Sequence, residues 1–272
     1  MSLITITQNM GCTGDEIAKL VANSLDLALY DDARLQRTVQ SMGQELEDLK
    51  GFDERAPGFF DRLISNKPDI FLDLMEAVIY EVAKKGTGVI IGHGGQFLLR
   101  DFGCALHVLI YADRSTRVRH AMEKENISRE VAERLIQKSD DNQAGFFRFA
   151  FHRAWNDLSL FDLVVSTEKM TAPSAANIII EAAQNQEMKT CSLTALDAMD
   201  RLSLEKKVEA ALLKHNFDPR YIHLTAPDKG VVLVRGLTES EDDMHRLEEV
   251  VNAIEGVKQV RNEVSVRPAV LI

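Results

Sequence analysis

A short apolar, β-branched run, Leu3-Ile4-Thr5-Ile6-Thr7, leads into Gln8-Asn9-Met10-Gly11-Cys12-Thr13-Gly14-Asp15-Glu16 and then into a helical pattern from Asp15 to Leu27. A glycine turn between a strand and a helix N-terminus presents free backbone N–H groups at the positive end of the helix dipole, and that binds phosphate. The full pattern GxxxxGK[ST] adds a lysine for the outer phosphates. This stretch has no lysine, and Asp15 and Glu16 put two carboxylates into the first helical turn. They favour a helix start and repel an anion. Two readings stand side by side: a nucleotide-binding loop of Gly11, Cys12, Thr13, Gly14, Asp15 and Glu16, or an ordinary strand-to-helix turn.

A second glycine turn, Gly92-His93-Gly94-Gly95, follows the apolar strand Val89-Ile90-Ile91. Ligands of open α/β sheets bind at the carboxyl ends of strands. Three glycines allow close approach and His93 can donate to an anion; a tight turn with an exposed histidine is the alternative. Between Asp113 and Arg119, the cations Arg114, Arg117 and Arg119 could reach a transferring phosphoryl group, or could form a solvated helix face paired to Glu123 and Glu125. Arg148, His152 and Arg153 stand beside Phe146, Phe147, Phe149 and Phe151, as a second cationic wall or a packed helix edge. Asp31 and Asp32 could meet a nucleoside or Mg²⁺, or cap the next helix. No GxSxG elbow, HExxH motif or dinucleotide-binding fingerprint is present, which removes support from hydrolase and dehydrogenase readings.

The elements that must position these groups alternate. Helical spacing runs from Ile70 to Lys85, from Gln96 to Asp101, from Ser115 to Glu125, from Ser128 to about Ala144 and from Pro173 to Gln184. Strands are expected at Val89–Ile91, Leu106–Tyr111 and Leu163–Thr167. This pattern predicts an α/β doubly wound domain over residues 1–184. The polar stretch Thr38–Lys67 reads as a surface insertion or a segment covering a substrate. Residues 185–202 read as a linker with some helical character. Beyond them the order becomes α-β-β-α-β: helix Ser203–His215, strands His223–Ala226 and Val231–Gly236, helix Ser240–Ile254 and strand Val260–Val266. That predicts a small α+β domain over residues 203–272.

The 272 residues carry 32 Lys and Arg against 42 Asp and Glu, a net charge of -10. This argues against nucleic acid as a partner, since phosphate backbones need a basic face. No apolar run reaches the ~20 residues of a membrane span, and the N-terminus does not read as a signal peptide. Cys12, Cys104 and Cys191 are odd in number and form no CxxC pair, so neither a disulfide framework nor a zinc site is expected. A reducing cytoplasm is the expected location.

Taken together these stretches resemble the cytidylate kinase-like family, a branch of the P-loop nucleoside monophosphate kinases. The similarity spans about Leu3 to Ala183. The family's opening, like ISREYGSGGREIA, reads ITQNMGCTGDEIA here. Its EEVAKKGNCVIVGRGG and YILRD match Glu81–Gly95 and Phe97–Asp101. Its LHVFIYAPLEDRV matches Leu106–Val118, and its late DLV element matches Phe161–Thr167. The resemblance implies a P-loop kinase fold and transfer of the ATP γ-phosphoryl group to CMP-like acceptors, with Mg²⁺. It implies that His93, with nearby Arg100, serves the monophosphate side and that the lid cations include Arg117, so that Arg117 and Arg100 are the catalytic candidates; His93, Gly94, Asp31 and Arg153 are the substrate-binding candidates. The stretches Gly230–Gly236 and Gly256–Asn262 resemble a BON domain, an association module. A homo-oligomer, and protein or lipid as the partner of this module, are left open by the resemblance.

The departures fall on the cations. The family's Ser-Arg before the loop is Thr7-Gln8, its loop arginine is Asp15, its second-turn arginine is His93, and its D-x-x-R-A lid pattern reads Asp140-Asp141-Asn142-Gln143-Ala144. Phosphoryl transfer works by positioning and charge neutralisation, and one lost cation costs ~10³-fold or more. The sequence therefore supports two functions: a phosphotransferase with a degenerate loop, or a catalytically inactive nucleotide- or anion-binding regulatory protein signalling through its BON-like domain.

Overall fold

The computed structural model of the chain describes residues 2–42, 68–185 and 190–267. In chain order the elements are β1 (Leu3–Gln8), α1 (Gly14–Ser24), β2 (Leu29–Tyr30), α2 (Asp32–Ser41), α3 (Pro68–Ala83), β3 (Gly88–Ile91) and α4 (Gly95–Leu98). There follow β4 (Ala105–Tyr111), α5 (Arg114–Glu125), α6 (Arg129–Phe151), β5 (Leu163–Ser166) and α7 (Ala172–Gln184). The last elements are α8 (Leu193–Lys214), β6 (Ile222–Asp228), β7 (Val231–Thr238), α9 (Glu241–Asn252) and β8 (Gln259–Val266). Most of the polar Thr38–Lys67 stretch lies outside the described residues.

The chain divides into two units. The first, from residues 1–37 and 85–193 of the described chain, holds a five-stranded sheet in the order β2-β3-β1-β4-β5. Every pairing in it is parallel. β1 is central and buried at all six positions. One face carries Ile4, Ile6, Val89, Ile91, Val108 and Ile110 against Ile17 and Val21 of α1 and Ala175, Ala176 and Ile179 of α7. The helical periodicity of α1 and α7 is what turns these residues onto the sheet. The other face of β1 presents Thr5 and Thr7. Burial obliges both hydroxyls to find partners: Thr5 Oγ1 meets His107 Nδ1 at 2.7 Å and Thr7 Oγ1 donates to Gln96 Oε1 at 3.0 Å.

The parallel register aligns Ile6 with Ile91, and the Gly92 N–H donates to the Ile6 carbonyl at 2.9 Å. Both glycine turns, after β1 and after β3, therefore lie at the carboxyl edge of the sheet, where such folds bind ligands. This is the α/β phosphate-loop kinase architecture that the sequence predicts.

The second unit contains α3 as well as residues 194–267 of the described chain. Its sheet pairs β6 with β7 antiparallel and β7 with β8 parallel, the predicted α+β order. Val232 and Val234 pack with Leu204, Val208, Leu212, Leu247 and Val251 of α8 and α9. Two boundaries differ from expectation. Helix α8 begins at Leu193, inside the stretch read as a linker, and α3 clusters with this unit rather than with the first. Polar contacts between α3 and α8 account for the second difference. Ser203 Oγ donates to the Ala77 carbonyl at 3.1 Å, Lys207 pairs with Glu81 at 2.9 Å, and Lys84 pairs with Asp200 at 2.7 Å.

Lys206 lies among three carboxylates, Asp73 at 3.1 Å, Glu76 at 3.1 Å and Glu209 at 2.8 Å. One ammonium cannot neutralise three neighbours. Burial, with the repulsion of Glu209 and Glu76 beyond what Lys206 offsets, pushes the Asp73 carboxyl up to about 7. A raised carboxyl binds protons more tightly in the folded chain. Its stabilising contribution is complete below its ordinary value of 3.8 and is lost as pH rises through about 7. We expect the thermal midpoint of the unit containing α3 and α8 to fall by several degrees between pH 6 and pH 8. Asp73→Asn should flatten that slope, read by circular dichroism melts across the range.

Candidate functional site

The turn after β1 is shaped by positive backbone dihedrals at Gly11 (φ 89) and Thr13 (φ 60). Gly11 needs its missing side chain, because a Cβ there would lie 2.7 Å from the Arg117 carbonyl. Thr13 precedes α1 without a side-chain cap to the helix. The orphan N–H groups of a helix start must find acceptors. Here the acceptor for Gly14 N–H is Oε1 of Gln8, at 2.6 Å, and the same amide donates from Nε2 to Asp15 Oδ1 at 2.8 Å. Gln8 is buried. The chain's own carboxamide thus occupies the donor that a phosphate oxygen would take, and it holds Asp15 beside the turn.

Arg117 on α5 is equally engaged. Its guanidinium makes a two-pronged pair with Asp140 of α6, both bonds 2.8 Å. The side chains are 10% and 26% exposed. Burial acts to lower the Arg117 pKa, but the Asp140 carboxylate outweighs it and holds the cation charged. Asn9 Nδ2 donates to Asp140 Oδ1 and Gln143 Oε1, each at 3.0 Å, and Gln143 Nε2 donates back to the Gln8 carbonyl at 3.0 Å. His120 Nδ1 meets the Gly11 carbonyl at 2.9 Å. The turn is therefore stitched to α5 and α6. Arg117 is neither a free lid cation nor part of a solvated face paired to Glu123 and Glu125.

Beside the turn lies a cavity of about 520 Å³ lined by Gln8, Met10, Gly11, Thr13, Asp15, Glu16, His120, Ala121, Glu123, Lys124, Glu125 and Leu135. Its walls hold four carboxylates and a single lysine. Among the nucleotide-binding candidates, Gly11, Thr13, Asp15 and Glu16 line this cavity, and Cys12 and Gly14 do not. The Cys12 thiol is buried, and burial pushes its pKa up to about 11, so it is not a nucleophile at neutral pH. The donor set does not fit the phosphates of ATP as the chain is folded. The Gly14 N–H is already bonded, the walls are mostly acidic, and the turn lacks a lysine.

The remaining candidates are dispersed. His93 is buried, with φ 56, and its Nε2 meets Asp32 Oδ1 at 2.6 Å, so it is not the exposed histidine of a plain turn. Gly94 (φ 72) is covered by the Phe151 ring, which a Cβ would strike. Phe151 stacks on Phe97 with centroids 4.6 Å apart. The phenylalanine-rich end of α6 is thus a packed edge, and Arg153 pairs with Asp157 at 2.8 Å rather than forming a cationic wall. Asp31 Oδ1 accepts the Arg34 N–H at 2.9 Å and caps α2. Arg100 is exposed beyond α4 and is not among the residues lining the cavity. Sequence reasoning missed the parts of Gln8, Asn9, Asp140 and Gln143. The only signal was that Gln8 and Asp140-Gln143 fall where the resemblance expects other residues. Among the described residues no group of three or more His, Cys, Asp or Glu side chains is arranged to hold a metal ion.

Comparison with known proteins adds to this geometry. Residues 3–169 match the family model of the cytidylate kinase-like family. The chain belongs to that family. Residues 200–268 match the BON domain. The cytidylate kinase of Staphylothermus marinus is 26% identical over 184 residues, covering 66% of this chain and 96% of that one. The cytidylate kinase of Methanocaldococcus jannaschii is 24% identical over 186 residues, covering 67% of this chain and 98% of that one. A solved structure of an uncharacterized protein from Eubacterium ventriosum superposes with a TM-score of 0.53 at 22% identity, covering 67% of this chain and 97% of that one. The family-matched region includes α3, the helix that clusters with the BON-containing unit.

The Arg117–Asp140 pair gives a direct test of this site's packing. A double-mutant cycle with Arg117→Ala and Asp140→Ala should return a coupling of ~1–3 kcal/mol in denaturant unfolding, as a two-pronged, largely desolvated pair requires. Either single variant should be the more damaging per group removed, because it leaves a charge without its partner.

Proposed function

We propose that this member of the cytidylate kinase-like family has left phosphoryl transfer and acts as a nucleotide- or anion-responsive regulatory protein, with its BON-like domain as the output. The observation that carries this is the Gln8 carboxamide on the Gly14 N–H. An incoming phosphate must displace Gln8 and draw Arg117 from Asp140, while passing Asp15 and Glu16. The free energy of that displacement is subtracted from binding, so the competent state is a minor one and the apparent affinity falls in proportion. A ligand that does succeed switches the contacts of the turn with α5 and α6, and that is how a binding site becomes a sensor.

The second reading, an active phosphotransferase that uses ATP and Mg²⁺ to phosphorylate CMP-like acceptors, is favoured by the family match over residues 3–169 and by relatives named cytidylate kinase. On either reading the ligand is a small anion or nucleotide rather than nucleic acid. No described helix is long and apolar enough to cross a membrane. A cytoplasmic location, a kinase-like domain over residues 1–184 and a BON-like domain over 203–272 belong to the same proposal.

Calorimetric titration with ATP and then CMP, with and without Mg²⁺, separates the readings when CDP formation is followed in the same samples. We expect ATP binding weaker than about 1 mM and no CDP. Gln8→Ala combined with Asp15→Arg should tighten ATP binding by ~10-fold or more, since it frees the Gly14 N–H and replaces a repelling carboxylate by a cation. Steady formation of CDP by the unaltered chain would establish the second reading and discard the first. If His93→Arg also leaves CMP binding unchanged, the turn after β3 is not an acceptor site.

A further inference from the structure

Two pairings in this fold are invisible in the spacing of residues along the chain. One is closed: Cys104 and Cys191, 87 residues apart, have Cα atoms 4.9 Å apart and joined sulfurs, which corrects the expectation that the cysteines make no disulfide. The other is open, and lies at the edge of the second unit's sheet. Among the described residues β8 pairs with β7 alone, so one side of an eight-residue strand has no neighbour. Such an edge is a template for another strand.

The backbone of β8 fixes which groups stand there. The Gln259 N–H donates to the Gly230 carbonyl at 3.1 Å and the Arg267 N–H to the Thr238 carbonyl at 2.9 Å, so odd-numbered residues turn their backbone groups to β7. By alternation, Val260, Asn262 and Val264 turn theirs outward. Side chains alternate as well. Gln259, Arg261, Glu263 and Ser265 are exposed, while Val260 and Val264 are half-buried against the core beneath the sheet. Glu263 pairs with Arg235 of β7 at 2.7 Å. Arg261 makes no ion pair among the described residues.

We propose that β8 pairs antiparallel with β8 of a second copy of this chain, about a two-fold axis at Asn262, joining two three-stranded sheets into one. The charges choose this partner and this register. Outward residues must oppose outward residues, so even numbers pair with even numbers. With Asn262 opposite its twin, Val260 opposes Val264 of the second copy and Arg261 opposes its Glu263. Symmetry makes each contact twice. Arg261 and Glu263 then form a non-hydrogen-bonded pair, the kind whose side chains come closer, where opposite charges attract. Glu263 stands between Arg235 of its own chain and Arg261 of the second. The next register in one direction sets Arg261 against Arg261, and in the other Glu263 against Glu263, and like charges directly opposite are destabilising. The exposed side of β8 carries one Arg and one Glu, so the contact is neutral although the whole chain carries -10.

One outward donor is already in use. The Val264 N–H donates to Asn262 Oδ1 at 3.0 Å, and Asn262 Nδ2 donates to Glu248 Oε2 at 3.1 Å. Pairing exchanges the first of these bonds for the Val260 carbonyl of the second copy. The exchange subtracts from the gain, so the pair forms at ~10–100 µM chain.

The test is sedimentation equilibrium of the full chain between ~5 and ~500 µM, where the mass should rise from one chain toward two. Arg261→Glu alone and Glu263→Arg alone should each weaken association by ~10-fold or more, because each sets like charges opposite at both symmetric positions. An equimolar mixture of the two variants should recover it, since every opposition between them is then of unlike charges. Recovery on mixing also shows that both variants are folded. A one-chain mass at every concentration overturns the proposal. Association that neither variant weakens lies elsewhere on the chain and overturns the edge. Weakened variants that do not recover on mixing, with unchanged circular dichroism spectra, overturn the register.

Discussion

A strand that ends in a glycine turn and starts a helix leaves backbone N–H groups that something must accept. In this chain the acceptor is internal, and much of the kinase-like unit's carboxyl edge follows from it. Gln8 can reach Gly14 because the left-handed residues Gly11 and Thr13 fold the turn back over β1. Once Gln8 is fixed, its carbonyl is a partner for Gln143, Gln143 is a partner for Asn9, and Asn9 shares Asp140 with Arg117. The same polar groups that could greet an anion are spent on one another. A network of this kind is stable because every link is buried or half-buried and bonded, and a ligand must break several links to enter.

The second unit is organised around a different constraint, the placement of charge on a helix pair. Helices α3 and α8 meet through lysines that have too few positive charges for the carboxylates around them. The surplus makes the contact sensitive to protons without weakening its packing at low pH. Helix α3 runs through Gly86 into β3, and β3 ends in the turn that carries His93. A helix from the family-matched region thus holds both the charge cluster of the BON-containing unit and the covalent path to the second glycine turn.

Family membership and site geometry pull in different directions, and the physics of phosphoryl transfer explains why both matter. The fold supplies positioning, through a parallel sheet whose carboxyl edge gathers two glycine turns. The chemistry depends on cations placed against developing charge. Here the sheet is intact, while Asp15 stands in the turn and Arg117 is neutralised by Asp140.

The fold was legible in the residues because it is written in local periodicity. The β-branched run of β1, the helical spacing of α1 and α7, and the order of elements in the small domain all survive as predicted, since each is set by which side chains must be buried within a few residues. The position of the glycine turn after β1 was legible for the same reason. Its occupancy was not. Gln8 bonds to Gly14 six residues on, Arg117 to Asp140 twenty-three residues on, and Cys104 to Cys191 eighty-seven residues on. None of these separations carries a period. By itself the sequence determined the elements, their order and the absence of a lysine from the turn after β1. Only the tertiary structure decided which polar groups satisfy one another, because burial makes partners of side chains by distance in space and is indifferent to distance along the chain.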